Sequence, residues 1–212
     1  NPNNPTGTII PYDTLKTFVE SIPEHVTILI DEAYIHFVRE AGYQDAISLA
    51  LERNNVVVTR TFSKIYGLAG MRIGYAITNK PLLDRMMLQQ GFGGGLTSLS
   101  THAAAAALDD HEFVAMTRKV TNDGKDYLIA EFDKMGLEYT PSHGNFMIVN
   151  IGRDSRRMST EMRKRGVSIR SGGGYRTREH NLLNNHIRVS IGKPDELEVF
   201  ISELKDILGK AS

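Results

Sequence analysis

Val56–Thr78 reads VVVTRTFSKIYGLAGMRIGYAIT, and its two ends decide the fold class. Val56-Val57-Val58-Thr59 is a continuous β-branched run, the pattern of a strand buried on both faces. A second run, Ile73 to Thr78, follows after thirteen residues rich in hydroxyl, glycine and cationic side chains. Upstream, Val26-Thr27-Ile28-Leu29-Ile30 forms a third apolar run that ends in Asp31. Before it, Pro11 is placed for a first helical position, and Leu15, Phe18, Val19 and Ile22 recur at helical spacing until Pro23. Alternating helix and strand predicts an α/β layer with a mostly parallel sheet and helices on both faces. Polar groups gather where the strands end, the edge at which open α/β sheets bind ligands.

The rest of the chain changes character. GFGGG at 91–95 interrupts a helical pattern that includes Met86 and Met87, whose apolar setting reads as core. Ser98–Leu108 resumes the pattern with alanines at 103–107, and a long helix is expected from His111 to about Met135, with Gly136 as its stop. Phe146–Val149, Val167–Ile169 and Ile187–Ile191 read as strands, with helices near 159–165 and 194–208. A division near residue 118 follows, with 1–118 belonging to a larger α/β domain and 119–212 forming a small α+β domain.

Composition excludes several function classes. Lys+Arg and Asp+Glu both number 25 in 212 residues, so nothing in the net charge calls for nucleic acid or an anionic membrane surface. The absence of cysteine removes disulfides, thiolate catalysis and cysteine-based zinc sites, and is compatible with the cytosol. No run approaches the ~20 apolar residues of a membrane span. The seven histidines lack the paired spacing of a metal site, so no metal is expected.

Lys64 is the chemically distinctive residue. Lysine amines form Schiff bases with carbonyl compounds, and Ser63, Thr61 and Arg72 around it offer hydroxyls and a guanidinium suited to a phosphate. Asp31 at the end of a buried strand, with Tyr34 three residues on, adds a carboxylate and a phenol that fit a pyridine nitrogen and a ring oxygen. Each of these has an ordinary alternative when taken singly: a solvated lysine, a turn carboxylate, a core aromatic with a wet tip.

Four ordered motifs, NPNNPTG (1–7), DEAY (31–34), SKIYGLAGMRIGY (63–75) and HIRVSIG (186–192), resemble fold-type I pyridoxal-phosphate aminotransferases, particularly the histidinol-phosphate aminotransferase group. The resemblance implies the C-terminal part of the cofactor-binding large domain followed by the small C-terminal domain, in a homodimer using pyridoxal 5'-phosphate. It implies that Lys64 carries the Schiff base, Asp31 partners the pyridine nitrogen, Tyr34 and Asn4 partner the ring oxygen, and Thr61, Ser63 and Arg72 hold the phosphate. Arg188 would pair with the substrate carboxylate, Asn145 would orient it, and Arg170 would face the substrate side chain. Substrates would be an amino acid or amino phosphate and a 2-oxo acid. The segment from Arg170 to Arg188 looks longer than in typical members, and relatives carry further site residues ahead of NPNNPTG, so the chain reads as part of a longer polypeptide. A decarboxylase similar to threonine-phosphate decarboxylase, or a non-catalytic fragment, is the alternative.

Overall fold

The computed structural model describes residues 1–89, 95–174 and 182–209, so residues 91–94 of GFGGG and 175–181 of the long segment lie outside the described residues. The chain divides into two units, Asn1–Pro2 with Ile9–Arg118 and Asn3–Thr8 with Lys119–Ser212.

In the first unit, α1 (Tyr12–Ser21) starts one residue after Pro11, which is its N-cap rather than its first helical residue. Leu15 and Val19, one turn apart, bury its inner face. β1 (Ile28–Asp31) is followed by α2 (Ile47–Glu52), β2 (Val56–Thr61), β3 (Gly74–Ile77), α3 (Lys80–Met87) and α4 (Ser98–Asp109). The sheet order is β1-β2-β3. β1 and β2 are parallel, with Asp31 opposite Thr59, and β3 returns antiparallel, with Gly74 opposite Thr61. The expected parallel pairing therefore holds for the first pair alone among the described strands, because the β2–β3 connection passes back at the strand exits. Leu15, Val19, Ile30, Leu49, Val56 and Val58 form one core on the α1/α2 side. Phe62, Ile73 and Ala104 form another, with Ala104 the buried member of the alanine run. Met86 and Met87 are exposed rather than core, because α3 buries Leu82 alone.

In the second unit, the later part of α5 (His111–Lys134) is followed by β4 (Tyr139–Thr140), β5 (Phe146–Asn150), α6 (Ser155–Lys164), β6 (Arg170–Ser171), β7 (His186–Ser190) and α7 (Pro194–Gly209). The order is β4-β5-β7-β6, and every adjacent pair is antiparallel. Alternation then sorts the side chains. Met147 and Val149 of β5, with Ile187 and Val189 of β7, join Leu128, Phe132, Met158, Met162, Leu197, Phe200, Ile201 and Leu204 in one core. Gly124 lets α5 approach the chain beyond β7, since a Cβ there would lie 2.5 Å from Ile191 Cγ2. Val167–Ile169 is not a strand, contrary to its β-branched pattern. Gly166, with φ of 83°, turns the chain out of α6, and the Val167 amide closes that turn on the Met162 carbonyl at 2.9 Å. The opening loop belongs to this unit: the His143 amide donates to the Gly7 carbonyl at 2.8 Å, and a side chain at Gly7 would collide with Ser142.

Candidate active site

Period two sets apart the two faces at the exits of β1 and β2. Ile30, Val56 and Val58 point into the α1/α2 core, so Asp31, Thr59 and Thr61 fall on the opposite face. The Thr59 hydroxyl lies 3.4 Å from Asp31 Oδ1, and the Ala33 amide donates to the same oxygen at 3.1 Å. Asp31 thus sits on the sheet face opposite the core, partly fixed and exposed.

Beyond Thr61 the chain turns. Its hydroxyl accepts from the Ser63 amide at 3.0 Å, and the Gly67 amide donates to the Lys64 carbonyl at 3.0 Å. This fixes the Lys64 backbone while its half-buried side chain reaches over the ring of Tyr34, with Nζ 5.4 Å from the centroid. Among the described residues Lys64 makes no ion pair. Tyr34 is buried, held between the end of β1 and the turn that follows it.

Arg72 is the non-glycine residue with positive φ among those described, at 50°. A left-handed backbone costs an L-residue about 1–2 kcal/mol. It follows the single turn Ala69–Met71, and its Nη1 donates to the Ala69 carbonyl at 2.8 Å. The guanidinium remains exposed, with no carboxylate partner among the described residues. A lysine, an arginine and two hydroxyls at the end of β2 and on its connection to β3, with a carboxylate and a phenol at the exit of β1, fit an aldehyde that carries a phosphate and a basic ring nitrogen.

The remaining predicted residues lie in the second unit. Arg188 stands in the middle of β7, opposite Ile148 of β5 on one side and Arg170 of β6 on the other. Its guanidinium stacks on Phe146 at 4.4 Å, yet its buried Nε has no hydrogen-bond partner. An anion at that place would give the buried Nε its missing partner. Asn145 precedes β5, and its carbonyl accepts from the Ile191 amide at 2.9 Å. Asn4 is exposed in the opening loop.

One assembly is absent from the sequence reading. Glu32, 1% exposed, receives Arg60 Nε at 2.9 Å and Nη2 at 2.7 Å on one oxygen and the Ala46 amide at 2.8 Å on the other. Arg60 Nη2 also donates to Asp45 at 2.6 Å. Its signal was a charge at the next inward position after Val56 and Val58. Beyond it, His36 meets Tyr66 edge-on at 5.5 Å, and burial, with Arg60 and Arg118 nearby, pushes the His36 imidazole down to about 4.

The sequence profile of aminotransferase class I and II matches residues 1–204. The chain belongs to this family. It is 39% identical over 210 residues to histidinol-phosphate aminotransferase 1 of Idiomarina loihiensis, covering 99% of this chain and 55% of that protein. Histidinol-phosphate aminotransferase 2 of Carboxydothermus hydrogenoformans is 41% identical over 210 residues, with 98% and 56% covered. The chain thus spans about half the length of these curated aminotransferases. The crystal structure of histidinol-phosphate aminotransferase from Sinorhizobium meliloti in complex with pyridoxal-5'-phosphate superposes with a TM-score of 0.88 at 27% identity, over 100% of this chain and 57% of that one.

Proposed function

We propose that this aminotransferase-family chain carries the pyridoxal-phosphate lysine and the carboxylate-binding arginine of an enzyme that moves an amino group between an amino donor and a 2-oxo acid. The observation that carries the reading is the Lys64 amine, which makes no ion pair among the described residues and is set over Tyr34 on the turn that follows β2. Its similarity to named histidinol-phosphate aminotransferases supports an amino acid or a histidinol-phosphate-like amine as donor. Pyridoxal phosphate, when bound, supplies an aldehyde and an electron-withdrawing ring.

The Lys64 amine would hold that aldehyde, and, when freed by a substrate amine, it would be placed to act as the base and acid that moves a proton from the substrate Cα to the carbon on the other side of the shared nitrogen. Asp31 keeps the ring nitrogen protonated, and Tyr34 with Asn4 donates to the ring oxygen. Thr61, Ser63 and Arg72 grip the phosphate. Arg188 pairs with the substrate carboxylate through two parallel hydrogen bonds, Asn145 orients that group, and Arg170 faces the substrate side chain. A cytoplasmic homodimer is the assembly proposed for it.

Loading with pyridoxal phosphate should give a visible absorbance band that Lys64→Ala removes along with turnover, the missing general base alone accounting for a loss of about 10²–10⁴-fold. Full turnover in Lys64→Ala would end the assignment. Amino donors, histidinol phosphate among them, should convert the bound cofactor to pyridoxamine phosphate; release of carbon dioxide instead would move the assignment to decarboxylation.

A further inference from the structure

Glu32 and Arg60 lie on the face of the sheet that Lys64 chemistry does not use, and they sit where the backbone link between β1 and β2 runs out. The last ladder bond between the two strands is the Glu32 amide on the Thr59 carbonyl, at 2.8 Å. From there β2 continues paired with β3 alone, through Thr61 opposite Gly74. Asp31 is thus the last paired residue of β1, opposite Thr59, and past the Glu32 amide the two strands share no further backbone bond among the described residues, so the Glu32 and Thr61–Lys64 segments diverge there. Side chains supply the connection that the ladder lacks. Arg60 Nε and Nη2 both reach Glu32 Oε2, at 2.9 and 2.7 Å, and Nη2 extends to Asp45 at 2.6 Å. Glu32 Oε1 meanwhile accepts the Ala46 amide at the start of α2, and Asp45 Oδ1 accepts the Ile47 amide at 3.1 Å.

Glu32 and Arg60 each border a residue of the proposed site. Glu32 follows Asp31 directly, and Arg60 lies between Thr59, which contacts Asp31, and Thr61, which opens the lysine turn. A buried carboxylate is stable only while it is paired and hydrogen-bonded, and both oxygens of Glu32 are so engaged, which ties Glu32 and Arg60 together beside those neighbours. We propose that Arg60 is a positioning residue, its fork on Glu32 and Asp45 fixing the Asp31 exit against the Lys64 turn and so setting the orientation of the bound ring. This rests on the function proposed above. Lysine cannot replace the fork: a point charge on a flexible stem reaches one carboxylate at a time.

The test uses the chain loaded with pyridoxal phosphate and reads the circular dichroism of the visible band, which reports how the ring is held. In Arg60→Lys, which keeps the charge, the visible ellipticity should fall to half or less, and kcat about tenfold, as expected for a small misplacement of reacting groups, while the KM for the amino donor stays within about twofold. Asp45→Asn leaves the Arg60–Glu32 pair in place and should shift the same signal by less; should Arg60→Lys not fold, it carries the decision. Arg165→Lys is the control, because Arg165 also bridges two carboxylates, Glu203 and Asp206, through its Nη1 within the second unit, and it should move neither signal. Parent-like ellipticity and kcat in both Arg60→Lys and Asp45→Asn would overturn the positioning role and leave the function standing. A parent protein with no visible band would overturn both.

Discussion

Arg60 at the exit of β2 and Arg188 in the middle of β7 are both half-buried strand arginines, yet they end in opposite states. Arg60 points to the core side of its sheet and has its fork filled by Glu32 and Asp45. Arg188 points away from its core, stacks on Phe146, faces a second arginine and keeps a buried Nε without a partner. A buried donor without a partner costs about 1–3 kcal/mol, so the first arrangement serves the fold and the second fits the carboxylate-binding role proposed for Arg188. The two sheets differ likewise. β5 buries four successive side chains, Phe146 to Val149, while Leu29 of β1 is 64% exposed on the face that Asp31 shares.

The sharpest way to break this contrast is through the cores. Phe132→Ala removes a ring from the interior of the second unit and should destabilise it by about 3–5 kcal/mol, whereas Leu29→Ala should stay within about 0.5 kcal/mol; denaturant titration compares them. Equal effects would mean that the β1 face is covered in solution. Next in size, Arg188→Lys should raise the KM for the amino donor by about 10- to 100-fold, the value of losing one charge-assisted hydrogen bond. An unchanged KM would place the carboxylate elsewhere.

The smallest effect concerns His36. Its folded value lies near 4 against an ordinary 6.5, so between those pH values the unfolded chain binds more protons and stability falls as pH drops. Solvent at the half-buried ring screens the effect, leaving about 1 kcal/mol. His36→Gln should flatten the pH dependence of the melting temperature between 6.5 and 4; an unaltered slope would exclude it as the source.

Much of this was legible in advance, for reasons that differ by element. β2, β5 and β7 are dense in β-branched or apolar residues, and α5 and α7 keep apolar faces over several turns, so local pattern and burial agree. Val167–Ile169 has the same β-branched character and failed because a glycine turn claimed its backbone. Met86 and Met87 looked like core because a short helix's periodicity does not say which face finds a partner.

The sequence by itself determined the chemistry: an amine at Lys64, a carboxylate at Asp31, a phenol at Tyr34 and guanidinium groups at Arg72 and Arg188, in an order that identifies the family. Those properties belong to side chains and their spacing. Only the tertiary structure decided that neighbours in the motif part company, Asp31 to one face and Glu32 to the other. It also decided that the Arg60 fork is filled by Glu32 and Asp45 while the buried Nε of Arg188 has no hydrogen-bond partner. Pairing across strands, which joins residues 28 positions apart, made those decisions, and no local window of sequence contains it.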